Sequence, residues 1–204
     1  MENQVELKCL AGLRSPEILP VYLIQLNIFM VGTIGIVWVS RFSLKDIKSH
    51  GFYRFFAWEI ILIMFAINLR YWFKDPFSIR QIIAWSLLVI SLVLIFQGVK
   101  LLRQKGQIDH DRDDPSLVAI EKTTELVTSG VYRYIRHPFY SSLLFLTWGI
   151  LFKQTTWVIL GLAIAATIFL AITAKKEESE NIVYFGEKYL EYMKDTKMFI
   201  PYVL

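Results

Sequence analysis

The sequence predicts an all-α fold: a polytopic membrane helical bundle of about five transmembrane helices, with a tight helical hairpin and cytoplasmic C-terminal helices. Three observations carry this. Of the 204 residues, 55% are hydrophobic and 20% charged, against about 45–50% and about 25% in soluble domains, and the mean hydropathy is +0.45. The apolar residues collect in runs near the ~20 residues that cross ~30 Å of hydrocarbon. The basic residues stand at the ends of those runs, where lipid topology places them. A soluble enzyme, a disordered chain and a fibrous protein are excluded. A net charge of +4 invites a nucleic-acid partner, but its position at run ends assigns it to the membrane instead. Six Trp, ten Tyr and fifteen Phe suit a chain anchored at the water–lipid boundary.

The runs follow in order. The first is Ile18 to Val39, opened by Pro16 and Pro20. The second is about Phe52 to Phe73, interrupted by Glu59 and Asn68, and the third about Ile79 to Val99. The fourth, Phe139 to Phe152, is short and as a helix rises only ~21 Å. The fifth is Thr156 to Ala174, separated from the fourth by only Lys153, Gln154 and Thr155, a link so tight that the two form an antiparallel hairpin. With five spans, sixteen of the 22 Lys and Arg residues fall on the side of loop 1–2, loop 3–4 and the C-terminal tail. The positive-inside bias makes that side cytoplasmic and leaves the N-terminus outside. The start, Met-Glu-Asn-Gln-Val-Glu, lacks a basic signal region, so the first span is expected to direct its own insertion, most simply into a cell (inner) membrane. The final Pro-Tyr-Val-Leu carries no lipidated Cys. Cys9 is the single cysteine, which excludes an intramolecular disulfide and a multi-Cys metal site.

Two cytoplasmic segments are long enough for chemistry, Lys100 to His137 and Lys175 to Leu204. Within the first, Asp109-His110-Asp111-Arg112-Asp113-Asp114-Pro115 reads as a solvated turn, since its acids lack a fixed ligand spacing; no metal site is expected. Further on, Gly130-Val131-Tyr132-Arg133-Tyr134-Ile135-Arg136-His137-Pro138-Phe139-Tyr140 places two Arg and a His at the mouth of the hairpin. Pro138 suits the first turn of the fourth helix, and the amides there form an electropositive place for an anion. A simple positive-inside anchor accounts for the arginines but not for the interleaved Tyr132, His137 and Tyr140. The second constellation is Lys175-Lys176-Glu177-Glu178 followed by Phe185-Gly186, Tyr189 and Tyr192. Phe185, Tyr189 and Tyr192 share a helix face, and Gly186 can bend the helix. Paired carboxylates leaving a span turn toward protein or water; they form either a solvated face or a site for hydroxyls or a cation. Glu59, inside the second span, and Gln97, near the end of the third, are candidates for lining an acceptor pocket.

Together these strings resemble one family. Glu125-Leu126-Val127-Thr128-Ser129-Gly130-Val131-Tyr132, then Arg136-His137-Pro138 and Tyr140, resembles the cofactor motif of the isoprenylcysteine carboxyl methyltransferases, and related phospholipid methyltransferases share the general pattern. The short hairpin, the Glu-Glu pair and the Phe-Gly-x-x-Tyr-x-x-Tyr tail follow in the same order, so the resemblance covers about Thr124 to Pro201. It implies an integral membrane enzyme that transfers a methyl group from S-adenosylmethionine to a lipid or lipidated, membrane-delivered acceptor (a carboxylate, amine or thiol). It divides a single 1–204 membrane domain into N-terminal transmembrane helices, 1–103, and a cofactor-binding half, 104–204. Carried over, the cofactor-contacting positions are Thr124, Glu125, Leu126, Val127, Tyr132, His137, Pro138, Phe139, Tyr140 and Glu177. Arg136 beside His137 suits the cofactor's carboxylate, and Glu177 suits its ribose hydroxyls or amino group. The sulfonium is already activated, so the protein must align the reactants and exclude water. No base is assigned; Glu178 and Glu59 are the candidates for acceptors that lose a proton. The pattern departs at Thr173, where the carboxyl methyltransferases place an Arg that engages substrate, and at Met198, where a basic residue is common. Two other readings fit parts of the pattern: an NADPH-dependent membrane reductase of the sterol or steroid type, and a non-enzymatic membrane scaffold.

Overall fold

In the computed structural model, residues 18–107 and 122–202 are described. Cys9 and the string from Asp109 to Pro115 lie outside them. Six α-helices carry the described chain: α1 (Ile18–Ser40), α2 (His50–Asn68), α3 (Ile79–Lys105), α4 (Pro138–Lys153), α5 (Trp157–Phe185) and α6 (Glu187–Asp195). Ser49, Ser78 and Thr156 cap α2, α3 and α5, each side chain accepting from the backbone N–H three residues on. These polar residues standing just before apolar runs mark the helix starts.

α1, α2, α3 and α5 are long and apolar enough to cross a membrane. α4, the short fourth run of the sequence, falls below that length. Its 16 residues rise ~24 Å. It nevertheless runs nearly the depth of the bundle, because Pro138 packs beside Gly98 at one end and Lys153 bonds Gln81 at the other. α4 is wrapped by α2, α3 and α5, so it is surrounded by protein along most of its length. This explains its buried Ser141, Ser142 and Thr147: the Ser142 and Ser91 hydroxyls lie 3.1 Å apart across α3 and α4, and Thr147 donates to the Leu143 carbonyl at 2.7 Å. Gly149 permits the close approach of α3, since a Cβ there would lie 3.0 Å from Leu88 and 3.3 Å from the Ala84 carbonyl.

The α2–α5 contact has a regular cause. On α2 the buried positions include His50, Arg54, Ala57, Ile61, Met64 and Asn68; on α5 they include Ile159, Ala163, Ala166, Leu170 and Thr173. Both stripes alternate steps of four and three, the spacing of a left-handed seam, and small Ala57, Ala163 and Ala166 bring the two backbones together. The helices are antiparallel: His50 bonds Glu180 at one end, and Asn68 donates to the Ile150 carbonyl at 2.7 Å near the tip of the α4–α5 hairpin. α1 packs along α2 and presents its other faces outward, with Leu23, Ile24, Val31, Ile34 and Trp38 exposed.

Lys153 closes the hairpin-tip end. It is 0% exposed. Its Nζ donates to Gln81 Oε1 at 3.0 Å and to the Trp72 carbonyl at 3.4 Å, and it sits 3.4 Å from the centroid of the Trp85 ring. Lys153→Ala removes the desolvated cation–π contact and leaves a buried amide oxygen unsatisfied, a loss on the order of 2–4 kcal/mol. Thermal unfolding in detergent is expected to show a clearly lower midpoint; an unchanged midpoint would contradict the role given to this lysine.

Candidate active site

At the opposite end, the start of α2, the end of α3, the start of α4 and the late turns of α5 converge. A cavity of about 630 Å³, the solvent at its mouth included, opens there. Its walls come from five parts of the chain. α3 gives Leu102; the following loop gives Thr123, Glu125, Leu126 and Val127; the turn before α4 gives Tyr132, Arg136 and His137; α4 gives Pro138, Phe139 and Tyr140; and the far wall carries Glu177, Asn181, Phe185, Tyr189 and Tyr192.

Local structure explains each placement. Residues Gly130–Arg133 form a 3-10 turn that swings Tyr132 inward, while Arg133 and Tyr134 stay exposed. The C-terminal tail then pairs with the same segment. Ile135 and Lys197 form a parallel bridge, Arg136 N–H donates to the Lys197 carbonyl at 2.8 Å and His137 N–H to the Met198 carbonyl at 3.2 Å. Ser141 adds a hydroxyl bond to the Phe199 carbonyl at 2.8 Å. Pro138 occupies the first turn of α4, where its missing N–H costs nothing. On α5, Glu177, Asn181 and Phe185 stand at successive steps of four and so share one face. Gly186, at φ 63° and ψ −139°, breaks the helix and turns α6 back, which brings Tyr189 and Tyr192 over the cavity.

The two adjacent carboxylates diverge. Glu177 faces the cavity, its Oε2 3.8 Å from His137 Nδ1. Glu178, one residue on and about 100° around the helix, turns away: its Oε1 accepts from Arg136 Nε at 2.6 Å and lies 3.4 Å from His137 Nε2. Arg136 is thus engaged. Besides Glu178, its Nη1 reaches the Met193 carbonyl at 3.3 Å, the Thr196 carbonyl and the Thr196 hydroxyl at 3.4 Å. It lines the cavity but serves as a clasp between α5, α6 and the tail. The Tyr192 hydroxyl donates to the Tyr132 carbonyl at 2.6 Å. Burial, and for Tyr189 next the charge of Glu177, pushes both α6 phenols up, so both stay protonated and able to donate.

Of the expected cofactor positions, Glu125, Leu126, Val127, Tyr132, Arg136, His137, Pro138, Phe139, Tyr140 and Glu177 lie together on this cavity. Thr124 does not: it is exposed, and its hydroxyl donates to the Gln107 carbonyl at 3.1 Å, while its neighbour Thr123 takes the wall. Glu178, a candidate base, is not on the cavity wall. Nor is Glu59, whose Oε2 accepts from Thr33 on α1 at 2.9 Å, nor Gln97, which is exposed. Thr173 is buried and donates to the Phe169 carbonyl at 2.7 Å. Leu102, Thr123, Asn181, Phe185, Tyr189 and Tyr192 were not among the expected cofactor contacts. The spacing of Asn181 and Phe185 from Glu177 was a usable signal for two of them; Leu102 and Thr123 had none.

The sequence profile of the phospholipid methyltransferase family matches residues 79–187, more than half of the chain. The chain belongs to this family. The matched stretch runs from α3 to the start of α6 and contains every cavity residue except Tyr189 and Tyr192. Among curated relatives, a protein-S-isoprenylcysteine O-methyltransferase of Xenopus laevis is 32% identical, over 59% of this chain and 42% of its own. A methanethiol S-methyltransferase of Crocosphaera subtropica is 24% identical over 81% of this chain and 66% of its own. A protein-S-isoprenylcysteine O-methyltransferase B of Arabidopsis thaliana is 33% identical over 58% of this chain and 61% of its own. The chain therefore spans less than half of the Xenopus protein and about two thirds or less of the other two. No solved structure matches it.

Within this family member, the bend at Gly186 is the joint that completes the cavity. Gly186→Ala forces a residue with a Cβ into a backbone region that essentially only glycine occupies, at a cost of about 1–3 kcal/mol. Space is not the obstacle, since nothing lies within 4 Å of the added carbon. The variant is expected to lose protection of the α6 amides in hydrogen exchange while α2 to α5 stay protected; wild-type protection in α6 would rule this out.

Proposed function

We propose that this chain is an S-adenosylmethionine-dependent integral membrane methyltransferase acting on a lipid or lipidated, membrane-delivered acceptor, with the cavity facing the cytoplasm. One observation carries the reading: His137 and Glu177, forty residues apart in sequence, come within 3.8 Å of each other on the lining of a single cavity.

The wall chemistry fits the methyl donor. The Glu177 carboxylate and the Asn181 amide offer acceptors for a ribose diol or an ammonium group. Leu102, Val127, Phe139 and Phe185 form an apolar and aromatic surface for a purine. The donor, when bound, supplies an activated methyl group on a sulfonium sulfur. The chain's own work is then binding and alignment: Glu177 and Asn181 hold the polar end, the aromatic wall holds the base, and α6 with its two neutral phenols covers the site against water. The same walls argue against NADPH. Glu125 and Glu177 repel its phosphates, and the guanidinium of Arg136 is already held by Glu178 and the Thr196 carbonyl.

The acceptor atom is a carboxylate oxygen, an amine nitrogen or a thiol sulfur. The relatives' names span an isoprenylcysteine and a methanethiol acceptor, and Thr173 brings no charge to the position where the carboxyl methyltransferases carry Arg. Purified protein is expected to be stabilised against heat by S-adenosylhomocysteine, as a ligand of the native state must do, and to label a component of its own membranes when given isotopically methyl-labelled S-adenosylmethionine, with mass spectrometry identifying the product. Stabilisation by NADPH alone would overturn the reading.

A further inference from the structure

Besides the clasp at Arg136, the site end of the bundle contains a second buried guanidinium. Arg54 lies one turn into α2, is 3% exposed, and stands 5.0 Å from the centroid of the Trp58 ring. It lies outside residues 79–187, the stretch that matches the family profile, and it is not on the cavity wall. A charged side chain in a spanning helix is costly and turns to a partner inside the bundle.

The register of α2 on α5 places it. His50 N–H donates to Glu180 Oε1 at 3.0 Å, and the His50 ring meets the other oxygen of the same carboxylate. The helices run antiparallel, so four residues further along α2 lies about four residues back along α5. Arg54 is therefore level with the Lys176–Glu177 turn of α5. The charges of His137, His50 and Arg54 all act on the Glu177 carboxylate. Tyr189 faces it from α6, and Glu178 and Glu180 flank it on its own helix. Glu177 thus stands between the cavity and a cationic backing supplied by α2.

We propose that Arg54 is a positioning residue for the methyl-donor site: from α2, with His50 anchoring the helix to Glu180, it holds the Glu177 carboxylate toward the cavity. The proposal rests on the assignment of Glu177 to the donor made above. It gives the N-terminal half of the chain a part in cofactor binding. A helix that only anchored the protein in lipid would have no need of a buried cation at this level.

Equilibrium binding of radiolabelled S-adenosylhomocysteine to the purified full chain tests it in a double-mutant cycle with Glu177→Gln. Arg54→Met is expected to weaken binding about tenfold, Arg54→Lys to restore it to within about threefold, and Arg54→Met added to Glu177→Gln to cost less than about twofold more, as coupled partners behave. Where Arg54→Met does not yield a monodisperse protein, Arg54→Gln is read in the same way. An equal loss in both backgrounds, or no rescue by Lys, makes Arg54 a structural residue and overturns the proposal while leaving the donor site standing. Undiminished binding in Glu177→Gln alone overturns the assignment of Glu177, and the proposal with it.

Discussion

Arg136→Ala is expected to be the most destabilising single substitution at this end of the bundle. The side chains of Arg136 and Glu178 are only 10% and 9% exposed. Removing the guanidinium leaves the Glu178 carboxylate buried with its main partner gone and frees the Met193 and Thr196 carbonyls that Nη1 ties down. Breaking a buried ion pair from one side costs about 3–5 kcal/mol, a large fraction of the ordinary margin of about 5–15 kcal/mol. The variant is expected to unfold at a much lower temperature and to expose α6 and the tail to protease first, because the lost bonds converge there. The paired change Arg136→Met with Glu178→Met removes both charges and is expected to recover much of the loss, since the two substitutions leave no orphaned charge. A single Arg136→Ala variant as stable as the parent would show that this pair is not the clasp.

The second large effect falls on ligand affinity. Glu177→Gln keeps the size of the side chain and its place on α5 but removes the carboxylate that faces the cavity. Hydrogen bonds to a charged group contribute about 1.5–3 kcal/mol, so S-adenosylhomocysteine is expected to bind about 10- to 150-fold more weakly, a factor of ten for each 1.4 kcal/mol. The unfolding midpoint without ligand is expected to fall as well, because the change also removes the carboxylate on which the His137, His50 and Arg54 charges act. Isothermal titration and a melting curve on the same sample separate the two effects. An affinity equal to that of the parent would remove Glu177 from the donor site.

The particular residues show how far sequence patterns reach. The motif from Glu125 to Tyr140 was legible because its polar and aromatic residues interrupt apolar runs, where each one stands out. Glu177 was legible as one of a Glu-Glu pair, but nothing in the pair says which member faces the cavity. A rotation of about 100° per residue on α5, set by packing against α2, separates a cavity residue from a clasp residue. Thr123 and Thr124 divide in the same way. Glu59 stood out as an acid within a span, yet its partner is Thr33 on α1, a pairing that depends on which face of α2 the first helix covers.

Composition and run length alone establish that the chain is helical, that it carries helices able to span a membrane, that two of its apolar segments form a hairpin, and that chemistry-bearing residues gather at one end of that hairpin. Those features follow from solvation: apolar length and the placement of charge are properties of the residues themselves. Contacts between helices settle the rest. A helix apolar on every side carries no mark of its inward face, so the α2–α5 seam, the burial of short α4 within the bundle, the return of the tail onto Ile135 and the level of Arg54 with the Lys176–Glu177 turn all depend on side chains meeting across distances in sequence that no local pattern encodes.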